Sequence, residues 1–332
     1  MNGLKLLTNS NLSYWILLLL FALIALVIGN ICYEVVSKLN TQSFLDHCSD
    51  LLTSISITFF NNIIATILAI IIAFLITNYL YNKKFFKSSF LIILISFPHI
   101  SYCIGITYLF ATSGFFARLF AFFYGNDIPF ISERGDASSI LIYIISLALR
   151  EVPFLVLIGL SVLKKINALQ IQKQVLVLGH SNLSALLCCI FPIWLKSMGL
   201  PILIIVTFCF SNYEFSSILG PQFPHMINVK IIESWYSTNL DLINQMNSLI
   251  IITILSSILA LTTLYTLMQI LIGYLKNKKF SASSNYNLFL LGKTFYFIVI
   301  AIFTTILFIT SLLSIGESWF FPTIIPSNFS LR

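Results

Sequence analysis

Seven long apolar stretches decide what this chain can fold into. Along the 332 residues they cover 14–36, 55–81, 88–111, 139–163, 197–219, 248–275 and 294–315. A helix needs about 20 consecutive apolar residues to cross the hydrocarbon core of a bilayer, and only helices or closed barrels satisfy their backbone polar groups there. We therefore predict an all-α polytopic membrane protein with about seven transmembrane helices.

The composition excludes the main soluble classes. Only 9% of the residues are charged, and the mean hydropathy is +0.98. A nucleic-acid-binding protein would need its positive charge concentrated on a solvated face, and here the charge is too sparse.

The first apolar stretch exceeds the length of a signal-peptide core, and no small-residue cleavage site follows it. We therefore interpret it as a membrane helix.

The distribution of basic residues predicts the orientation. Twelve of the 18 Lys and Arg residues lie before the first stretch and in the loops after the second, fourth and sixth. Cytoplasmic loops of membrane proteins retain positive charge. The N-terminus is therefore predicted to be cytoplasmic and the C-terminus external.

One loop on the predicted cytoplasmic side, residues 164–196, is more than a short basic connection. Its first part spaces apolar residues as in an amphipathic helix of about three turns. Gly179 is placed to end that helix, and Ser181 or Asn182 to cap a second helix toward Phe191 and Pro192. Two short helices joined at a glycine elbow are predicted to form a docking surface.

This loop resembles the permease loop of bacterial ABC importers, whose motif reads Glu-Ala-Ala, three residues, Gly, nine residues, Ile, one residue, Leu-Pro. Gly179 and Pro192 match the glycine and the proline, whereas Cys189 stands where Ile is usual and Phe191 replaces the Leu. In that family the loop docks in a groove of the ATPase subunit. The residues that the resemblance assigns to the coupling loop are Lys173, Gln174, Val175, Leu178, Gly179, His180, Ser181, Phe191 and Pro192, the first three at the Glu-Ala-Ala positions.

Three further segments resemble the third, fourth and fifth membrane segments of that family. They read FPHISYCIGITYLFATSGFFAR at 97–118, LREVPFLVLIGL at 149–160 and FSNYEFSSILGP at 210–221. The likeness is greatest to fused permeases, in which two six-helix halves share one chain. It implies a type I permease core at 51–280, preceded by a first helix and external loop at 1–50. Residues 281–332 then resemble the first helix and external segment of a second half.

The resemblance implies a membrane-spanning subunit of an ATP-binding cassette importer in a bacterial inner (plasma) membrane, moving a small solute into the cytoplasm. The partners implied are cytoplasmic ATPase subunits, a periplasmic or external solute-binding protein, a second permease half and the lipid bilayer, without nucleic acid. The chain lacks a GxxxxGK[ST] phosphate-binding motif. We therefore expect ATP hydrolysis on a separate subunit, and neither a cofactor nor a metal on this one.

Ionisable groups at membrane depth usually face a cavity or one another. Arg150 lies eleven residues into its stretch, which is about 16 Å from the outer surface at the rise of an α-helix. The candidates for a translocation pathway are Arg150, Glu151, Pro153, Asn212 and Glu214. The alternative is an internal ion pair between Arg150 and a glutamate that fixes the helix register.

Two other classes of function are weighed against the importer. An ion-coupled secondary transporter would carry acidic residues at the midplane in broken helices related by a repeat; Glu151 fits this, but no repeat is visible. A lipid-modifying enzyme would need a cluster of His, Asp or Glu at one membrane face.

We further expect Asn61 and Asn62 to hydrogen-bond across helices, and His99 to be a hydrogen-bonded packing residue.

Overall fold

The computed structural model of the chain describes residues 41–82, 89–125, 137–238, 240–277, 288–326 and 328–329. The first predicted span, 14–36, lies outside the described residues. Within them the chain is mostly helical, and five helices are long and apolar enough to cross a membrane, or six if one bent pair counts as one span. The protein is therefore a helical, multi-pass membrane protein, and the count of seven spans stays a prediction.

The described elements follow one another with short connections. The helices are α1 (Thr41–Tyr81), α2 (Ser89–Ile95), α3 (His99–Phe110), α4 (Phe115–Tyr124), α5 (Ala137–Lys165), α6 (Ala168–Val177), α7 (Asn182–Ser197), α8 (Gly199–Ser211), α9 (Tyr213–Ile218), α10 (Ile227–Tyr236), α11 (Leu240–Asn277) and α12 (Leu288–Ile315). Two short strands, β1 (Gly316–Ser318) and β2 (Asn328–Phe329), pair antiparallel after the last helix.

Helices α1 and α5 form the centre of the bundle, and the other spans pack around them. They run parallel, because Asn62 meets Tyr143 toward one end and Thr77 lies against Gly159 toward the other. Helix α1 carries small buried residues every fourth position, at Ala65, Ala69 and Ala73. Small side chains at this spacing let helices approach closely where lipid supplies no hydrophobic driving force.

The contacts separate two ends of the bundle. At the end that we call outer, Lys230 Nζ donates to the Asp50 carbonyl at 3.3 Å, and Arg118 contacts the segment after α12. The inner end carries α6 and α7. Burial lowers the pKa of Lys230, and the nearby carboxylates of Asp50 and Glu233 partly offset this decrease. Successive spans thus alternate in direction, whereas the side of the membrane that each end faces stays a prediction.

The third span is broken, contrary to the prediction of one helix over 88–111. The predicted stretch consists of α2 and α3, which are separated at residues 96–98. The helix that is long and apolar enough to cross a membrane runs over His99–Tyr124, which comprises α3 and α4. Pro98 has no N–H to donate and disfavours helical geometry in the residue before it. The apolar segment also continues past Ala111 through a turn into α4, where a Cβ on Gly114 would lie 2.2 Å from the Tyr108 carbonyl oxygen.

The fifth span is also interrupted, although 197–219 was predicted as one stretch. Helix α8 ends at Ser211, and α9 begins after Asn212, whose Oδ1 accepts from the Phe215 N–H at 3.0 Å. Asparagine is among the preferred residues for such a cap. Below this break α7 and α8 meet at a bend of 63°. The second helix of the loop at 164–196 therefore continues past Pro192 to Ser197.

The last span, α12, packs against the central bundle. A Cβ added to Gly292 would lie 2.2 Å from the Leu75 carbonyl oxygen on α1, and one added to Gly105 on α3 would lie 2.5 Å from Ile306 Cγ2. The absence of a side chain at both glycines is what allows this approach. The likeness of this helix to the start of a second permease half stays a prediction.

We expect Gly292→Ala to destabilise the protein by about 1–3 kcal/mol, because the added methyl group meets backbone rather than a movable side chain. The matched control is Gly273→Ala, which also lies inside a long helix but has nothing within 4 Å of its added Cβ. Thermal unfolding of both variants in detergent micelles measures the difference. Equal melting temperatures would contradict close packing of α12 on α1.

Candidate functional site

The glycine elbow lies between α6 and α7. Helix α6 ends at Val177, and Gly179 has a φ of +81°, a left-handed conformation that side chains disfavour. The Gly179 N–H donates to the Leu176 carbonyl at 3.0 Å, and the His180 N–H to the Val175 carbonyl at 3.2 Å. These bonds close the end of a helix around a C-terminal glycine. The amphipathic helix and its end at the glycine are thus confirmed.

Ser181, rather than Asn182, caps the second arm of the elbow. Its Oγ accepts from the Ser184 N–H at 3.2 Å, and Ser181 is buried. Asn182 has a different role, because its Oδ1 accepts from Gln172 Nε2 on α6. The two arms are therefore joined by a side-chain hydrogen bond as well as by the turn.

The first arm exposes apolar side chains. Leu176, Val177 and Leu178 are 44%, 88% and 74% exposed, although they follow one another at the tip of the elbow. Lys173, Gln174 and His180 are exposed too, and Val175 is half-buried. Contiguous exposed apolar residues with a polar rim are typical of a protein-binding or membrane-binding surface.

The second arm is fixed to the bundle. Phe191 and Pro192 are buried, and the Phe191 ring lies 4.7 Å from that of Phe74 on α1. Trp194 is fully buried and donates from Nε1 to the Gly159 carbonyl on α5 at 3.3 Å. Phe191 and Pro192 therefore belong to the loop but not to its exposed surface. Trp194 was not singled out from the sequence, although its place in the FPIW segment marks it as a large residue beside the proline.

Arg150 is bound to backbone at the break in the third span. Its Nη2 donates to the Ile95 carbonyl at 3.1 Å and to the Phe97 carbonyl at 2.8 Å, and the residue is 5% exposed. The helix is interrupted here at Pro98. The guanidinium therefore donates to two carbonyls that a continuous helix would pair with its own N–H groups. No ion pair joins Arg150 to Glu151 or Glu214, all of which the structure describes. The alternative of an internal ion pair is therefore not seen among the described residues and stays a prediction.

Several polar atoms near this break have no hydrogen-bond partner among the described residues. They are Arg150 Nε, Glu151 Oε1 and His99 Nδ1. The His99 ring packs on that of Phe208 at 4.9 Å. The packing role predicted for His99 is thus confirmed. The hydrogen bond predicted for it is not found at Nδ1 among the described residues. Buried polar groups without partners are uncommon and need an explanation.

The remaining pathway candidates lie in two places. Pro153 is buried inside α5, which continues through it without a break. Asn212 caps α9, and the half-buried Glu214 follows in the first turn of that helix. The structure thus groups Arg150 with Glu151 at the break in the third span, and Asn212 with Glu214 at the break in the fifth.

Polar side chains also join the helices nearer the outer end. Tyr143 Oη donates to Asn62 Oδ1 at 2.8 Å, and Asn62 Nδ2 donates to the Cys209 carbonyl on α8 at 3.2 Å. Asn228 Nδ2 donates to the Asn212 carbonyl at 2.9 Å. The expectation of bonds across helices is confirmed for Asn62, whereas Asn61 Nδ2 has no partner. Tyr143 and Asn228 were missed, because an isolated polar residue on an apolar helix does not identify its partner.

Arg118 is a second buried arginine that the sequence did not single out. It is 3% exposed and donates to the carbonyls of Ser113, Phe320 and Thr323 at 2.7–2.9 Å. Its guanidinium also lies 5.0 Å from the Trp319 ring, within range of a cation–π contact. Arg118 therefore holds the segment after α12 against α4.

Comparison with protein-family models, with curated proteins and with solved structures finds no match to this chain. The resemblance to ABC importers therefore stays a prediction from the sequence.

We expect Asn62→Ala to lower the free energy of unfolding by about 1 kcal/mol, because it removes a bond to each of two neighbouring helices. Asn61→Ala is the matched control, since the adjacent amide donates to no described residue. Thermal unfolding in detergent measures both. A larger loss of stability for Asn61→Ala would contradict the assignment of the cross-helix bonds to Asn62.

Proposed function

We propose that the chain is a membrane-spanning permease subunit of an ATP-binding cassette importer, which moves a small solute from an external binding protein into the cytoplasm. The glycine elbow is the observation that carries this proposal. It presents Val177 and Leu178 to the surroundings while its second arm is buried in the bundle. This combination supports a surface that docks a partner and passes on the movement of that partner.

The surroundings of the elbow favour a protein partner over lipid. Exposed lysines flank it, at Lys164 and Lys165 in the last turn of α5, at Lys173 on α6 and at Lys196 on α7. Such residues are typical of the aqueous cytoplasmic face of a membrane protein. On that face, contact of apolar side chains with water is unfavourable, and binding of another protein would remove this contact. We assign that cover to a cytoplasmic ATPase subunit.

The second arm explains how the elbow would act on the membrane helices. Trp194 binds α5 at Gly159 and packs on Phe74 of α1 at 5.2 Å. The chain also enters the elbow directly from α5 and leaves α7 for α8 through the 63° bend. Closure of the ATPase subunits on ATP would therefore displace the central helices together and tilt the spans between inward-open and outward-open states.

The route of the solute belongs to the same proposal. Asn212 and Glu214 lie at the break in the fifth span, and Arg150 and Glu151 at the break in the third. We assign these residues to one wall of the pathway, and a second permease half to the other. The binding protein is assigned to two predicted outer segments, 126–138 and 222–245. Residues 126–136 lie outside the described residues, and the second segment contains α10 and the start of α11. The bacterial plasma membrane is the location that follows.

The test is co-purification of the tagged chain from its native membranes, with identification of any ATPase subunit by its GxxxxGK[ST]-containing peptides. We expect the double variant Val177→Asp/Leu178→Asp to lower its recovery about tenfold or more, because two charges replace the apolar contact. The matched control is Phe223→Asp, which changes an equally exposed apolar residue at the outer end and is expected to leave recovery unchanged.

The alternative of an ion-coupled secondary transporter gives a different result. A folded, abundant wild-type chain that brings down no ATPase subunit would overturn the importer proposal. Uptake of solute that survives depletion of ATP but stops when the ion gradient is collapsed would then favour the secondary transporter.

A further inference from the structure

We propose that Arg150 and the break at residues 96–98 form a latch that ties the third span to α5, so that the angle within this span follows the movement of α5. The latch consists of the Arg150 guanidinium and the carbonyls of Ile95 and Phe97. It rests on the proposed function only for the origin of that movement, which is the docked ATPase. Within the wall of the proposed pathway, Arg150 thus acts as a positioning residue through the backbone that it binds.

The first support is the pairing at the break. Pro98 cannot donate to the Leu94 carbonyl, and α2 ends after only seven residues. The break also separates the carbonyls of Ile95 and Phe97 from the N–H groups four residues later, which a continuous helix would pair with them. Inside a bilayer, carbonyls freed in this way have no water to bind and need a donor from the protein. Arg150 donates to both carbonyls from a single nitrogen, Nη2. The bent shape of the third span therefore depends on a side chain of another helix.

The second support is that the two sides of the break pack mainly on different helices. Helix α2 packs on α5. Helix α3 packs mainly on α9 and α12, where Tyr102 lies between Phe215 and Phe303 at ring distances of 5.9 and 5.1 Å, and it touches α5 through the hydrogen bond from Tyr102 Oη to the Ser146 carbonyl at 3.3 Å. A displacement of α5 relative to α12 consequently changes the geometry at the break and at the Arg150 hydrogen bonds.

The third support is the path from the elbow to the latch. Helix α5 is continuous from Arg150 to Lys165, a length of about 22 Å at 1.5 Å per residue. Trp194 joins α7 to α5 at Gly159, between these two points. A push on the elbow is therefore delivered to the helix that carries Arg150.

The fourth support is a set of unused polar atoms around the guanidinium. Arg150 Nε and Glu151 Oε1 are buried and unpaired among the described residues, as is His99 Nδ1. Buried polar atoms without partners are uncommon in folded proteins. Arg150 Nε is therefore a donor that the bonds to Ile95 and Phe97 leave unused.

The test measures the distance between spin labels on α2 and α3 in the purified chain in lipid nanodiscs. Labels at Ile92→Cys and Ile104→Cys use two exposed positions on either side of the break, in a background without native cysteines. We expect one narrow distance distribution with Arg150 and a broader, shifted one in Arg150→Met. Arg118→Met is the matched control, since it removes another buried arginine bound to carbonyls, at the tail. We expect it to leave the distribution unchanged.

A second variant separates the latch from general loss of structure. Pro98→Ala restores an N–H at the break, so that a straighter helix no longer needs Arg150. We expect Pro98→Ala/Arg150→Met to return to a single narrow distribution at a longer distance. An Arg150→Met chain that melts cooperatively and keeps the distribution of the parent would overturn the latch, as would a double variant that stays broad. No ATPase is present in this measurement, so its outcome is independent of the co-purification.

Discussion

Backbone groups that a helix break leaves without partners must find them inside the protein, because lipid offers none. This constraint explains where three of the buried polar residues lie. Arg150 donates to the carbonyls around the break in the third span, Asn212 accepts at the start of α9, and Arg118 binds the carbonyls of the segment after α12. Each of these three side chains binds backbone groups at a break or an end of a helix. The positions of the two buried arginines are thus explained by the backbone carbonyls that they bind, without reference to a solute.

The packing of the helices follows from a second consequence of the lipid environment. Apolar side chains gain little by leaving lipid for another apolar helix, so close contact decides which helices associate. The small residues Ala65, Ala69 and Ala73 on α1 and the glycine at 292 on α12 provide such contact. The central helices are accordingly the most buried, and α11 and α12 keep broad exposed faces. These faces are available to lipid and, in the proposed importer, to a second half.

The apolar stretches and the elbow were predictable, because both depend on local sequence. Length and hydropathy predict a span, and a glycine after an amphipathic helix predicts its end. The breaks were not predictable, as Pro98 and Pro153 show. Both prolines lie in apolar stretches, yet α5 continues through Pro153 while the third span is divided at Pro98. The guanidinium that accommodates the break at Pro98 lies more than fifty residues away in the chain, and no local pattern predicts that contact.

The same reasoning separates the parts of the coupling loop that the sequence treated alike. The motif placed Leu178 and Phe191 in one docking surface, but burial divides them: one side chain is at the tip of the elbow and the other is against Phe74. A loop exposed on both arms would yield to a partner without moving the spans. Because the second arm is packed between α1 and α5, a force on the exposed arm reaches the membrane helices directly. In the proposed importer, the division of the loop into a contact arm and an anchored arm is therefore what would suit it to coupling.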